Sequence, residues 1–130
     1  MSLVVFKTAP DRDCYVLFQT VNDCPVFIGD RAKTAVRLCI EAETAVAEAA
    51  VAGKLDRADQ TGTSYSDGEG GWGAEGVMVG EYMFPSDVGS RFLPRANLEE
   101  FVRAAAVGDV ERMVELSVEM EESGSVGGGV

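Results

Sequence analysis

Residues 30–53, "DRAKTAVRLCIEAETAVAEAAVAG", decide how this chain is read. Asp30 is a residue type that caps helix starts, and Gly53 stands where a left-handed glycine would close the element. The composition in between predicts one long helix from Asp30 to Ala52. At about 100° per residue, Lys33, Thr34, Arg37, Glu41, Thr44 and Glu48 gather on one arc. Val36, Leu38, Cys39, Ala42, Val46, Ala49 and Ala50 fall opposite, with Cys39 central and read as a core residue. That apolar arc is mostly alanine, so its neighbour can approach closely. A sheet surface and a second copy of the same helix both suit it.

Upstream, "LVVFK" (Leu3–Lys7) and "CYVLFQT" (Cys14–Thr20) are β-branched and aromatic runs joined by "TAPDRD", whose Pro10 and Asp11 form turns. They read as a hairpin. "VNDCP" is a second turn signal, and Val26 to Ile28 can add a third strand before Gly29 stops it.

Downstream, residues 54–76 show no periodicity and are rich in Gly, Ser, Thr and Asp, which predicts a long flexible loop. "VMVGEYMF" (Val77–Phe84) is a strand with Gly80 as a bulge. Pro85 to Arg95 reads as an irregular crossing. Asn97 opens a capping box with Glu100, and Leu98, Phe101, Val102 and Ala105 form the stripe behind it. Gly108 ends that helix, Asp109 caps the next, and Val110, Met113, Val114, Leu116 and Met120 line its inner face. "AAAVGDVERMVEL" (Ala104–Leu116) resembles the turn between the two helices of an ankyrin repeat. It occurs once and lacks the "TPLH" opening, so it implies a helical hairpin and nothing of that family's function. "SGSVGGGV" at 123–130 reads as a disordered glycine-rich tail.

These signals predict a single α+β domain over residues 1–122. Its antiparallel sheet has three to four strands, one long helix packs on it, and a C-terminal helical hairpin completes the core. The length, 130 residues with 46% hydrophobic and 25% charged, suits one ordinary globular domain.

The net charge of −11 narrows the function. Such a field repels nucleic acid phosphates and anionic membrane, so neither is expected as a direct partner. The apolar runs are too short for a membrane span or signal peptide, and a cytoplasmic location is expected. Cys14, Cys24 and Cys39 form no C-x-x-C pair, and no histidine is present to complete a zinc site. Three free thiols are expected, with Cys14 or Cys24 exposed beside its turn. Without histidine every Ser-His and Cys-His nucleophile pair is missing too.

One stretch imitates a ligand loop. In "DGEGGWGAEG" (Asp67–Gly76), Gly68, Gly70 and Gly73 satisfy the G-x-G-x-x-G spacing. A dinucleotide loop must follow a strand and open a helix, whereas here coil precedes and a strand follows. Asp67, Glu69 and Glu75 also place negative charge where phosphates would sit, and their spacing does not match a calcium loop. No metal or cofactor is expected.

The function expected is a small, acidic, non-catalytic protein-interaction or regulatory protein, acting through a protein partner and as a homodimer. Glu111, Glu115, Glu119 and Glu122 align at helical spacing on the last helix, where they could dock a basic partner. Trp72, at the tip of the 54–76 loop, is a second anchor or a cover for the core. "VMVGEYMF" could form a dimer seam. The alternative is a small-molecule-binding or enzymatic domain holding an anionic ligand near Arg91 and Arg95, with Tyr65, Trp72 and Tyr82 around it.

Overall fold

The computed structural model describes residues 3–41, 48–65, 68–85 and 88–119. Three strands open the chain: β1 (Leu3–Lys7), β2 (Tyr15–Gln19) and β3 (Cys24–Gly29), antiparallel in the order β1-β2-β3. β1 and β2 read as continuous apolar runs because both faces of the sheet are covered. Val4, Phe6, Val16 and Phe18 face one core, and Leu3, Val5, Tyr15 and Leu17 face another.

Two helices cover the second face: α1 (Arg31–Glu41) and α2 (Glu48–Thr61). The expected single helix is therefore two, and its expected end at Gly53 is overturned. Val51, Leu55 and Ala58, at helical spacing, bury themselves against Leu3, Val5, Tyr15 and Leu17 and carry the helix through the glycine. The long loop expected over 54–76 is shortened accordingly. Residues 42–47 lie outside the described residues.

The phase of α1 also differs from its sequence projection. Thr34 is fully buried because its hydroxyl donates to the carbonyl of Asp30 at 2.7 Å, which satisfies the one polar group on that face. Leu38 is buried beside it, and Val36, Cys39 and Ile40 point outward. Asp30 does cap the helix, accepting from the Lys33 amide at 2.8 Å.

The first face of the sheet packs on a second antiparallel sheet of order β4-β5-β6: β4 (Gly76–Val79), β5 (Arg91–Pro94) and β6 (Val118–Glu119). β5 replaces the irregular crossing expected there, because Phe92 and Leu93 pair with Met78 and Val77. The strand expected over Val77–Phe84 stops at Val79. Gly80 leads a 3₁₀ turn, Glu81–Met83, rather than forming a bulge.

Helices α3 (Leu98–Ala106) and α4 (Val110–Leu116) form the expected hairpin, burying Leu98, Phe101, Val102, Met113 and Leu116. Asp109 caps α4 through the Arg112 amide. Asn97 gives α3 no side-chain cap; its amide donates instead to the Leu116 carbonyl at the end of α4. The described residues thus form four helices and two three-stranded antiparallel sheets. None of these helices is long and apolar enough to cross a membrane. Met120 and the 123–130 tail lie outside the described residues.

Candidate functional site

The glycine-rich segment is tied to the body of the protein by one side chain. Arg95 donates to the carbonyls of Gly70 at 2.6 Å, Lys7 at 2.7 Å and Gly62 at 2.8 Å. Its guanidinium lies over the Trp72 ring, and the indole N–H donates to the Gln60 carbonyl. Trp72 is therefore half-buried and internally bonded, and it covers rather than projects. Gly70 has φ +77°, and a side chain there would run into the Phe6 ring, so this glycine serves packing. Gly76 opens β4 and no helix follows Gly73, which removes the context a phosphate loop requires.

Arg91 is engaged in the same manner. Its Nε donates to Ser117 Oγ at 2.8 Å, and Nη2 donates to the Ser117 and Val114 carbonyls at the end of α4. Both arginines thus brace backbone through their terminal nitrogens, while Arg91 Nε holds the Ser117 hydroxyl and Arg95 Nε is buried without a partner among the described residues. Tyr82 is 75% exposed on its 3₁₀ turn.

Tyr65 does line a cleft. Between the two sheets lies a cavity of about 250 Å³, floored by Phe6 and Phe18 and walled by Tyr65 and Phe92, with Asp23 and Glu69 among its lining. Phe6 meets Phe18 edge-on at 5.1 Å and Tyr65 at 6.3 Å. Sequence reasoning missed Phe92 and Asp23. Their signal was absent, because β5 was not recognised as a strand and Asp23 reads only as a turn residue.

The acidic row expected on the last helix is divided. Glu111 and Glu115 lie on α4, whereas Glu119 lies on β6 in register with Arg91. Glu122 lies outside the described residues. Arg112 reaches Glu115 at 3.1 Å and also pairs with Glu100 of α3. Glu99 is held by Arg12 and Arg103, at 2.6 and 3.1 Å. Burial favours its protonated form, but these two cations outweigh that and hold its carboxyl below the usual range. The α3–α4 turn adds an apolar tip to this acidic region: Val107 is 80% exposed and Val110 is exposed beside it.

A second charged cluster joins the two ends of the first half. Asp59 of α2 accepts from Tyr15 Oη at 2.5 Å, Lys7 Nζ at 3.0 Å and Arg31 Nη1 at 2.5 Å. Burial would raise the Asp59 carboxyl, yet these bonds and the charges of Lys7 and Arg31 hold it low. Every oxygen of Asp59 is thereby committed, so it acts as a clasp between α2, α1 and the sheet.

Among the described residues no group of three or more His, Cys, Asp or Glu is placed to hold a metal ion. Cys14 and Cys24 are both buried, against the expectation that one is exposed, and Cys39, expected in the core, is exposed. Burial pushes the Cys14 and Cys24 thiols up, away from reactivity.

No family model, curated protein or solved structure matches this chain.

Proposed function

We propose that this is a small, acidic, non-catalytic interaction protein that docks a basic protein partner through the α3–α4 end of the molecule. The observation that carries this reading is the tip itself. Val107 and Val110 stand exposed in a stretch that also holds Asp109 and Glu111, with Glu100 and Glu115 on the flanking helices. An apolar centre with a charged rim is the anatomy of a specific contact, and the acidic rim selects a basic surface. The engagement of Arg91, Arg95 and Asp59 within the chain supports a binding role over a catalytic one.

The test is affinity capture from an extract of the expressing cells, comparing the wild type with the Val107→Asp, Glu111→Lys double variant. The reading expects a basic protein that the wild type retains at low salt, releases as salt rises, and that the folded variant fails to retain. Equal retention by both proteins rejects it.

The aromatic cleft supports a second reading, a site for a small organic cation. Aromatic rings with carboxylates at hand suit an ammonium group, not the anion expected from Arg91 and Arg95. Calorimetric titration with choline and tetramethylammonium, repeated with Tyr65→Ala, tests it; heats of dilution alone reject it.

A further inference from the structure

We propose that the groove between α1 and α2 is where two copies of this chain associate. The groove, of about 480 Å³, is lined by Ala35, Val36, Cys39, Ile40, Val51 and Leu55 together with other residues of the two helices. Val36 and Ile40 are 60% and 68% exposed, one turn apart on α1, and form a ridge along it. Across from them α2 lines the groove with Val51, Ala52 and Leu55, of which Val51 and Leu55 are buried against the sheet, so a channel runs beside the ridge. A ridge next to a channel is self-complementary. Under a two-fold axis the ridge of each copy enters the channel of the other, and every contact is made twice.

Charge selects a second copy as the occupant. α1 and α2 together hold five of the chain's 11 bases but only four of its 22 acids, and Arg31 is already paired with Asp56 and Asp59. This layer is therefore nearly neutral on a protein of net charge −11. Two copies repel one another through their acidic surfaces and can approach most closely here, while a basic partner finds no attracting field. α3 and α4 pack on the opposite face of the central sheet, so association leaves the acidic end free. The two surfaces are independent, and failure of one leaves the other standing.

Sedimentation equilibrium of the full chain across the micromolar range tests the proposal. The wild type should self-associate. Ile40→Glu and Val36→Glu should each weaken association by about tenfold or more, while Val107→Glu leaves it unchanged. Both sites are exposed, so the variants should keep the wild-type circular dichroism; Ile40→Ser provides a gentler version. Cys39 lies in the groove, and a short bis-maleimide should join two wild-type chains but not two Cys39→Ser chains. A wild type that stays monomeric overturns the proposal. So does a dimer indifferent to Ile40→Glu, or one lost on removing residues 120–130 while Ile40→Glu remains dimeric.

Discussion

The guanidinium of Arg95 lies over the indole of Trp72, its Cζ 4.6 Å from the ring centroid, while its nitrogens hold three backbone carbonyls. Its pKa is lowered by burial, and among the described residues no carboxylate pairs with it. A cation set among carbonyl dipoles and a ring face locks the glycine-rich segment onto β1. Arg95→Ala should cost about 3 kcal/mol, since it removes three hydrogen bonds to backbone carbonyls, of which that of Gly62 keeps the Lys7 amide, and unstacks Trp72. Thermal denaturation should show a loss of roughly 10 °C, with tryptophan emission shifted to the red. Arg95→Lys should recover little, because an ammonium lacks the planar fork that reaches several acceptors at once. A wild-type melting temperature in Arg95→Ala would mean that the segment is held by other contacts.

Acid should weaken the first half of the fold through Asp59, and the helical hairpin through Glu99. Both carboxyls sit below their ordinary values in the folded protein, after cationic partners outweigh burial. A depressed folded pKa adds stability that is present above the unfolded value of about 4 and is lost as pH falls through the folded one. Urea unfolding at neutral pH and at about pH 3 should therefore show a steep drop. Asp59→Asn should be less stable at neutral pH by about 1 to 2 kcal/mol, with a shallower acid slope. An unchanged slope would remove Asp59 from the account.

Two glycines should respond in opposite directions to alanine. Gly53 lies inside α2 with nothing near the position of an added Cβ, so Gly53→Ala should stabilise by roughly 0.5 to 1 kcal/mol. At Gly76 the added Cβ would overlap the Leu93 carbonyl oxygen of β5, which cannot move without breaking the ladder. Gly76→Ala should cost about 2 kcal/mol or more. Denaturant midpoints read both, and a destabilised Gly53→Ala would contradict a continuous α2.

Thiol titration separates the cysteines. With Cys39 exposed in the single chain and Cys14 and Cys24 buried, a colorimetric disulfide reagent should modify one thiol rapidly in native protein diluted below self-association, and all three in denaturant. In Cys39→Ser the rapid phase should vanish. Its persistence would place Cys14 or Cys24 at the surface.

The α+β class, the opening hairpin and the Asp30 and Asp109 caps were legible in the sequence, because each rests on interactions within a few residues. The helical hairpin was legible for the same reason. Where the reading failed, a distant partner decided. Gly53 has the residue type of a helix stop, and only the burial of Leu55 and Ala58 against the sheet carries α2 past it. Thr34 looks solvent-facing until its bond to Asp30 lets it turn inward, which rotates Val36, Cys39 and Ile40 outward. Phe92 and Leu93 become a strand through pairing with β4 on one side and, at Phe92, β6 on the other. Arg91 and Arg95 were visible as a positive pair, but whether they would meet an anion or backbone depended on which carbonyls the fold brings to them. Composition and local spacing therefore determined the class, the charge and the short-range caps. Tertiary structure decided which faces are buried and which side chains remain free to bind, because burial and long-range pairing stabilise by more than the local preferences they override.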